Sequence, residues 1–571
     1  FVTSWAGTLR LFDVEIWWEL ATLITIMLLG HWLEMRSIAQ AQGAMAALAA
    51  LLPDTAERIT SDGTETVPID RLAVGDTVLV RPGARVPADG TVIEGSADVD
   101  ESMITGESHV VAKEPGSAVI AGTVAAGGSL RVRVAAVGDS TALSGIMRLV
   151  AAAQASASRA QALADRAAAL LFYVALVSGL VTLAFWWVQG DPEGALVRTA
   201  TVLVIACPHA LGLAIPLVIA ISTSLGARNG LLVKNRIALE RAREIQVVIF
   251  DKTGTLTKGR PALAAVSAVD GDEKELLRLA ASVEADSEHP LARAIVDGAR
   301  RRAVDPVAAT KFEALAGRGA RAEVDGRSVS VGGPRLLTEM RLDAIGATDA
   351  WAAEGRTVLH VIVDGRVLGA LALEDEIRPE SIEAVAALHD MGLRVAMITG
   401  DSQAVAASVA LRLGIDEVAA EVLPADKADA VRRFQAGGRK VAMVGDGVND
   451  APALATADVG IAIGAGTDVA VESAGIILVR SDPRDVVGAI ELSRATYRKM
   501  VQNLLWATGY NLLAIPVAAG VLVPWGIDLP MAVGAVAMSV STIIVAANAQ
   551  LLRGVRLRRP ETHAARESLG A

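Results

Sequence analysis

Five apolar stretches constrain this chain more than any other feature, each near or beyond the roughly 20 residues a helix needs to cross a bilayer at ~1.5 Å per residue. They run about Ile16 to Met35, Ala167 to Val188, Thr199 to Leu225, Leu504 to Val523 and Met531 to Leu552. The first is the least clean, because Glu19, His31 and Glu34 interrupt it. Seven of the nine tryptophans (Trp17, Trp18, Trp32, Trp186, Trp187, Trp506 and Trp525) lie in or beside these stretches, where amphipathic rings favour the headgroup level. Charged residues still make up 20% of the chain, so apolar spans must alternate with soluble domains. A net charge of −11 argues against nucleic acid as a partner. The single cysteine, Cys207, excludes a disulfide framework and a zinc ribbon, which need several.

Basic residues orient the spans. The short loops Gln189 to Leu196 and Pro524 to Pro530 hold no Lys or Arg, whereas Arg36, Arg159, Arg166, Arg228, Lys234, Arg236, Arg498, Lys499, Arg553 and Arg556 flank the opposite ends. The long loops are therefore expected in the cytoplasm, and the first span then runs from outside to inside. With Phe1 outside and no initiator Met or signal peptide, the chain is expected to be N-terminally truncated, an odd number of earlier spans preceding it.

Between the first two spans, short alternating runs such as "DTVLVRPGARVPADGTVIEG" and "SLRVRVAAVG" read as a small, mostly β domain. Between the third and fourth, apolar β-type runs alternate with helical patterns. Three of those runs end on an acid or glycine-acid: "VVIFD" at Asp251, "RVAMITGD" at Asp401 and "KVAMVGDG" at Asp446. Such runs are the buried parallel strands of a doubly wound sheet, whose ligands sit at the strand carboxyl ends. The stretch from about Gly259 to Leu371 interrupts the pattern and reads as an inserted domain.

Chemistry concentrates at those strand ends. Asp251 in "DKTGTLT" is placed to attack a γ-phosphoryl group and form an acyl phosphate. Thr253 and Thr255 would hold phosphate oxygens, and Gly254 lets the backbone approach. Asp446 and Asp450 in "GDGVND" suit Mg²⁺, which prefers one or two carboxylates with waters and phosphates. Lys427 in "LPADK" could neutralise phosphate charge as a point cation, although alone it would read as a surface lysine. Thr399 and Asp401 of "TGD" are weak signals by themselves. In the β domain, Glu107 of "TGES" could orient water to hydrolyse an acyl phosphate formed elsewhere in the chain.

The third span carries "CPH", Cys207-Pro208-His209. Proline removes a backbone hydrogen bond and frees carbonyls, which is tolerated at membrane depth chiefly where the break lines a cavity or protein interior. Thiolate and imidazole flanking that break can both face a metal ion. Tyr510 and Asn511, then Met538, Ser539, Ser541, Thr542 and Asn548, are candidates to complete the site, with core filling and helix packing as the competing explanation.

With "TGES", "CPH", "DKTGTLT" and "GDGVND" in one chain, the sequence resembles the heavy-metal-transporting P-type ATPases (type IB) over nearly its whole length. The resemblance implies a multidomain membrane protein: an α-helical transmembrane bundle, a mostly-β actuator domain, a haloacid dehalogenase-like α/β phosphorylation domain and an α+β nucleotide-binding insert. The implied division is a first span at 1–37, actuator at 38–160, two spans at 161–226 and phosphorylation domain at 227–258 and 372–496. The insert falls at 259–371, two more spans at 497–552 and a basic cytoplasmic tail at 553–571. The family normally has eight spans, so these five look like its last five, the first three and any N-terminal metal-binding domain being absent. Glu284 and His289 in "EADSEHP", with Gly317 and Gly319 in "GRG", are similar to the family's adenine and ribose pocket.

"CPH" together with "NLLWATGYNLLAIPVAAG" and "MSVSTIIVAANAQLL" looks like the copper-transporting subgroup. Thiolate, imidazole and thioether agree with copper or silver over harder ions. One departure is Val110, which stands where the family usually has proline after "TGES". The expectation is an ATP-driven, Mg²⁺-dependent copper exporter of the cell membrane, served by a cytoplasmic copper donor. The same pump for silver, zinc or cadmium, and a membrane-anchored phosphatase without transport, are the alternatives.

Overall fold

The computed structural model describes residues 52–557, apart from 62, 102–109, 156–157, 208, 288, 316–317, 447 and 465–471, together with scattered positions before 52. The chain divides into two compact units, one formed mainly by residues 1–244 and 488–558 and the other mainly by 245–474.

The first unit begins with β structure. A six-stranded antiparallel sheet runs in the order Gly63–Pro68, Thr55–Thr60, Thr77–Val80, Leu130–Ala136, Asp89–Glu94, Ala118–Val119. Beside it lies a three-stranded sheet of Val111–Lys113, Ala97–Asp100 and Val124–Gly127. The sequence "LRVRVAA" shows why: its Leu130, Val132 and Val134 alternate inward to a shared core while Arg131 and Arg133 face out.

Three helices in this unit, among the described residues, are long and apolar enough to cross a membrane: Arg159–Val188, Pro192–Arg228 and Met531–Gly554. The second is broken twice. It runs Pro192–Ile205, His209–Ala214 and Pro216–Arg228, with the first interruption at Cys207 and Pro216 opening the last piece. Pro216 at the second restart lacks the N–H that would continue the ladder. The apolar stretch from Leu504 to Val523 does not form a separate helix. It is the end of the 35-residue helix Arg484–Ala518, which keeps only Leu504 to Ala518 of it, and Gln502, Asn503 and Asn511 dilute its hydropathy. The expected span Ile16 to Met35 falls on a segment of which only scattered positions are described.

The second unit is built on five parallel strands in the order Val459–Ile463, Val441–Gly445, Val247–Asp251, Arg394–Ile398, Glu417–Ala419. Every residue of Val247–Asp251 is buried, as a central strand covered on both faces requires. Phe250 has no exposed surface, so truncating it to alanine should cost about 3–5 kcal/mol. Two long strands, Thr257–Ala268 and Arg366–Ile377, pair antiparallel and carry a further six-stranded sheet with Thr357–Val363, Arg327–Gly332, Gly319–Val324 and Thr310–Leu315. Helices Glu273–Glu284 and Pro290–Arg301 pack on it around Leu276, Ala280, Ile295, Val329 and Leu371.

Candidate functional site

Parallel strand topology puts two acids at one end of the sheet. Val247–Asp251 and Val441–Gly445 are hydrogen-bonded neighbours, so Asp251 and Asp446 leave adjacent strands at the same end. Asp251 is 5% exposed and both of its carboxylate oxygens are engaged. The backbone N–H of Thr253 donates to Oδ2 at 3.1 Å, and Lys427 Nζ donates to Oδ1 at 2.5 Å. The same ammonium donates to Asp450 Oδ1 at 2.7 Å. Burial, reinforced by the Asp450 charge, pushes the Asp251 carboxyl up to about 6 against the pull of Lys427. Burial, with Asp450 again adding to it, raises Asp446 as well. Lys427 is raised, because its two carboxylate partners outweigh the burial that opposes its charge.

The loop after Asp251 is tight. Gly254 has φ +76°, and a Cβ there would fall 1.8 Å from Asp446 Oδ2, so only glycine fits. Thr253 is exposed, whereas Thr255 is buried with a hydroxyl that has no protein partner among the described residues. Thr399 is 2% exposed and its hydroxyl accepts from the N–H of Asp401 at 3.1 Å. Asp401 turns to Lys252 as an ion pair, away from the Lys427 cluster. Sequence reasoning did not single out Lys252 in this role, nor Arg378, whose guanidinium donates to the carbonyls of Gly254 at 3.2 Å and Thr257 at 3.0 Å. No local pattern marks Arg378, since its partners lie 124 and 121 residues away.

Whether these residues suit Mg²⁺ can be judged from the acids themselves. Among the described residues no three His, Cys, Asp or Glu side chains form an ion cage. Mg²⁺ takes one or two carboxylates and completes its shell with waters and phosphate. The upward shifts of Asp251 and Asp446 come first from burial and then from the Asp450 charge, and a divalent cation would oppose both.

A second pocket, of about 440 Å³, lies in the inserted domain and is lined by Glu284, His289, Leu291, Leu315, Gly319 and Val331 among others. Glu284 ends helix Glu273–Glu284, is 7% exposed, and burial pushes its carboxyl up to about 7 despite a hydrogen bond with Ser287. His289 is exposed and caps the next helix, its Nδ1 accepting from the Leu291 N–H at 3.2 Å. Gly317 lies outside the described residues.

In the membrane helices, Cys207 is half-buried at the break, its N–H donating to Val204 at 3.2 Å. Pro208 and the side chain of His209 lie outside the described residues, as does Glu107 in the first unit. Tyr510 packs on the cluster that contains Ile205 and Ala206, immediately before Cys207. Asn511 is 3% and Met538 5% exposed, and Ser539 is half-buried. The Tyr510 hydroxyl, the Asn511 side-chain carbonyl and the Ser541 hydroxyl are buried without a protein partner among the described residues. The Thr542 hydroxyl instead donates to Met538 O at 3.2 Å. Asn548 stands apart, roughly 15 Å along the helix from Met538. It accepts from Lys499 Nζ at 2.7 Å and donates to Asn503 at 2.8 Å.

Comparison with known proteins fits this geometry. Residues 245–458 match the haloacid dehalogenase-like hydrolase family and residues 50–151 the P-type ATPase actuator domain. The chain is 52% identical over 539 residues to the copper-exporting P-type ATPase B of Archaeoglobus fulgidus, covering 94% of this chain and 78% of that one. It is 43% identical to the copper-exporting P-type ATPase B of Enterococcus hirae, covering 95% and 73%. The crystal structure of a zinc-transporting PIB-type ATPase in its E2.Pi state superposes with a TM-score of 0.61 at 34% identity, covering 93% of this chain and 87% of that one. This chain, a membrane protein with an actuator domain and a haloacid dehalogenase-like domain, therefore belongs to the metal-transporting type IB P-type ATPases.

Proposed function

We propose that the protein exports copper ions across the cell membrane at the expense of ATP, through a phosphoenzyme on Asp251. The observation that carries this is the seating of Asp251, a buried carboxylate at a strand end held between Lys427 and the Thr253 N–H. ATP would bind with its base and ribose against Glu284, His289, Gly317 and Gly319. An Asp251 oxygen then attacks the γ-phosphorus, an O–P bond forms, and the bond to the β-phosphate oxygen breaks to release ADP. Lys427, Thr253, Thr255 and Thr399 hold the charge and oxygens of the entering phosphoryl group, and Asp401 keeps Lys252 placed beside it. Asp251, Asp446 and Asp450 would hold Mg²⁺, which when bound neutralises phosphate charge. Glu107 would take a proton from the water that cleaves the aspartyl phosphate, regenerating Asp251 and freeing phosphate.

The cargo would bind at the membrane break through Cys207 and His209, with Tyr510, Asn511, Met538 and Ser539 completing the site. The half-buried thiol beside a helix break, and the unpaired oxygens of Tyr510 and Asn511, support that reading. Coupling requires metal and phosphate to favour different conformations, since a ligand of equal affinity for both shifts nothing. The domain division given above, multiple passes through lipid and delivery by a cytoplasmic copper donor belong to the same proposal.

Zinc is the second reading, because the superposable structure is of a zinc-transporting ATPase. ATPase assays of the full chain with copper under reducing and oxidising conditions, silver, zinc and cadmium separate the two. Copper or silver should stimulate most; strong stimulation by zinc with none by copper would overturn the assignment.

A further inference from the structure

Arg198 lies at the start of a membrane helix, on the side whose short loops hold no other Lys or Arg, yet it is only 8% exposed. A guanidinium at such a depth is tolerated only when its donors are matched. Here they are. Nη1 donates to Asp191 Oδ2 at 2.9 Å, Nη2 to Asp528 Oδ2 at 2.7 Å and Nε to Asp528 Oδ1 at 3.3 Å. The guanidinium carbon sits 4.0 Å from the centroid of the Trp186 ring, whose Nε1–H donates to Ala519 O at 2.9 Å.

These partners come from four helix ends. Trp186 belongs to the end of Arg159–Val188, and Asp191 caps Pro192–Ile205 through the Gly194 N–H at 2.8 Å. Ala519 follows Arg484–Ala518, and Asp528 precedes Met531–Gln550. Two glycines leave room for the cluster. A Cβ on Gly520, at φ +88°, would lie 2.8 Å from Trp186 and 2.9 Å from Arg198, and one on Gly194 would lie 2.5 Å from Arg198 Nη1. Backbone, acids and indole are thus fitted around one side chain.

We infer that Arg198 is a positioning residue that latches the extracytoplasmic ends of these four helices, and that this latch must break and re-form for the transported ion to leave. The inference rests on the pump reading above, because only alternating access requires those ends to part. The geometry makes the latch specific to arginine. A planar fork serves two acids while stacking on an indole, which a lysine ammonium cannot do. Releasing Asp528 removes the ionic tie between the hairpin formed by the last two helices and the hairpin formed by the preceding pair, leaving the Trp186–Ala519 hydrogen bond as a remaining polar tie between them.

The test uses the full chain in membranes, with Thr182→Cys added as a reporter. Thr182 is 4% exposed, one turn from Trp186, and lines the same apolar cavity as Gly520. A membrane-impermeant maleimide applied from outside should label that cysteine slowly in the parent, and Cys207 background is measured without the reporter. Arg198→Met should speed labelling by about tenfold or more, since it removes the hydrogen bonds to both acids at once. It should also lower the orthovanadate concentration that half-inhibits the ATPase. Arg198→Lys and Asp528→Asn should fall between Met and parent. If Arg198→Met does not accumulate, Asp528→Asn decides alone. Labelling and vanadate sensitivity that stay at parental values in the accumulating variants, whatever happens to yield or melting temperature, would overturn the latch. A parent lacking metal-stimulated ATPase would sink the pump reading instead, and the labelling rates would still report on the latch.

Discussion

Asp251 and Asp450 are buried acids that share one ammonium, at 2.5 and 2.7 Å, whereas Tyr510, Asn511 and Ser541 in the helices of the first unit keep buried oxygens that no described protein group pairs. In the first place charge is matched by charge, and the nucleophile is oriented by the fold alone. In the second, neutral dipoles have been taken out of water at a cost of roughly 1–3 kcal/mol each. Such a cost persists where something else repays it, and a transported cation is the ligand that oxygen, sulfur and imidazole groups would share. On the proposed reading the difference is one of preorganisation: Asp251 is held by Lys427 and the Thr253 N–H, while the membrane oxygens would be completed by cargo.

The most severe break of this comparison is Asp251→Asn. It keeps the shape and the Thr253 contact but removes the nucleophile, so phosphoenzyme from labelled ATP and transport should fall together by about 10⁴-fold or more. Metal-stimulated ATPase surviving in that variant would refute Asp251 as the phosphorylated residue. Lys427→Met should come next. It strands two buried carboxylates and should destabilise the protein by about 3 kcal/mol at neutral pH, measured by denaturant unfolding of the full chain. The deficit should shrink as the pH falls, because a protonated carboxyl no longer needs the ammonium. Asp251, already pushed up to about 6, makes that recovery visible at mild acidity.

Cys207→Ala addresses the other region. Metal stimulation should drop by at least about a hundredfold, the upper end of what losing even an outer partner of a metal ligand costs. Phosphorylation of Asp251 from inorganic phosphate should persist, since that site does not need cargo to be arranged. Loss of both reactions would mean that the two regions are not separable in the way their hydrogen bonding indicates.

Much of this contrast was legible in the residues, for reasons that also explain what was not. "VVIFD" declares both its burial and its catalytic end within five residues, and the proline of "CPH" predicts a helix break that the structure places at Cys207. These are local patterns. The pairings that finish the sites are not: Lys427 reaches Asp251 across 176 residues, and Arg198 reaches Asp528 across 330. Arg198 fell between the short loop counted for charge and the apolar stretch beginning at Thr199, so neither reading weighed it. Only the apolar half of helix Arg484–Ala518 stands out in the sequence, because its first turns mix charged residues with the buried Val486, Val487, Ile490 and Leu492 and run on into that half.

The inserted domain supplies the mildest test, since Glu284 is buried like Asp251 but forms no ion pair with a cation among the described residues. Its carboxyl rises from 4.5 to about 7 through burial, so in the folded protein it stays protonated where the unfolded chain would already have ionised. The folded state therefore binds more protons between those values. Stability from Glu284 is fully present below about pH 4.5 and is lost as the pH climbs through about 7. A neutral carboxyl can also donate a hydrogen bond into the pocket it lines, which the ionised form cannot. Amide exchange in helix Glu273–Glu284 should quicken beyond the intrinsic base-catalysed rise between about pH 4.5 and 7 and follow that rise alone above it, and affinity for a non-hydrolysable ATP analogue should weaken by up to about tenfold between pH 6 and 8. Glu284→Gln, neutral throughout, should flatten both profiles. Profiles that remain parallel to the parent would show that burial without a cation does not govern this carboxyl, and the contrast with the Lys427-bridged acids would then rest on geometry alone.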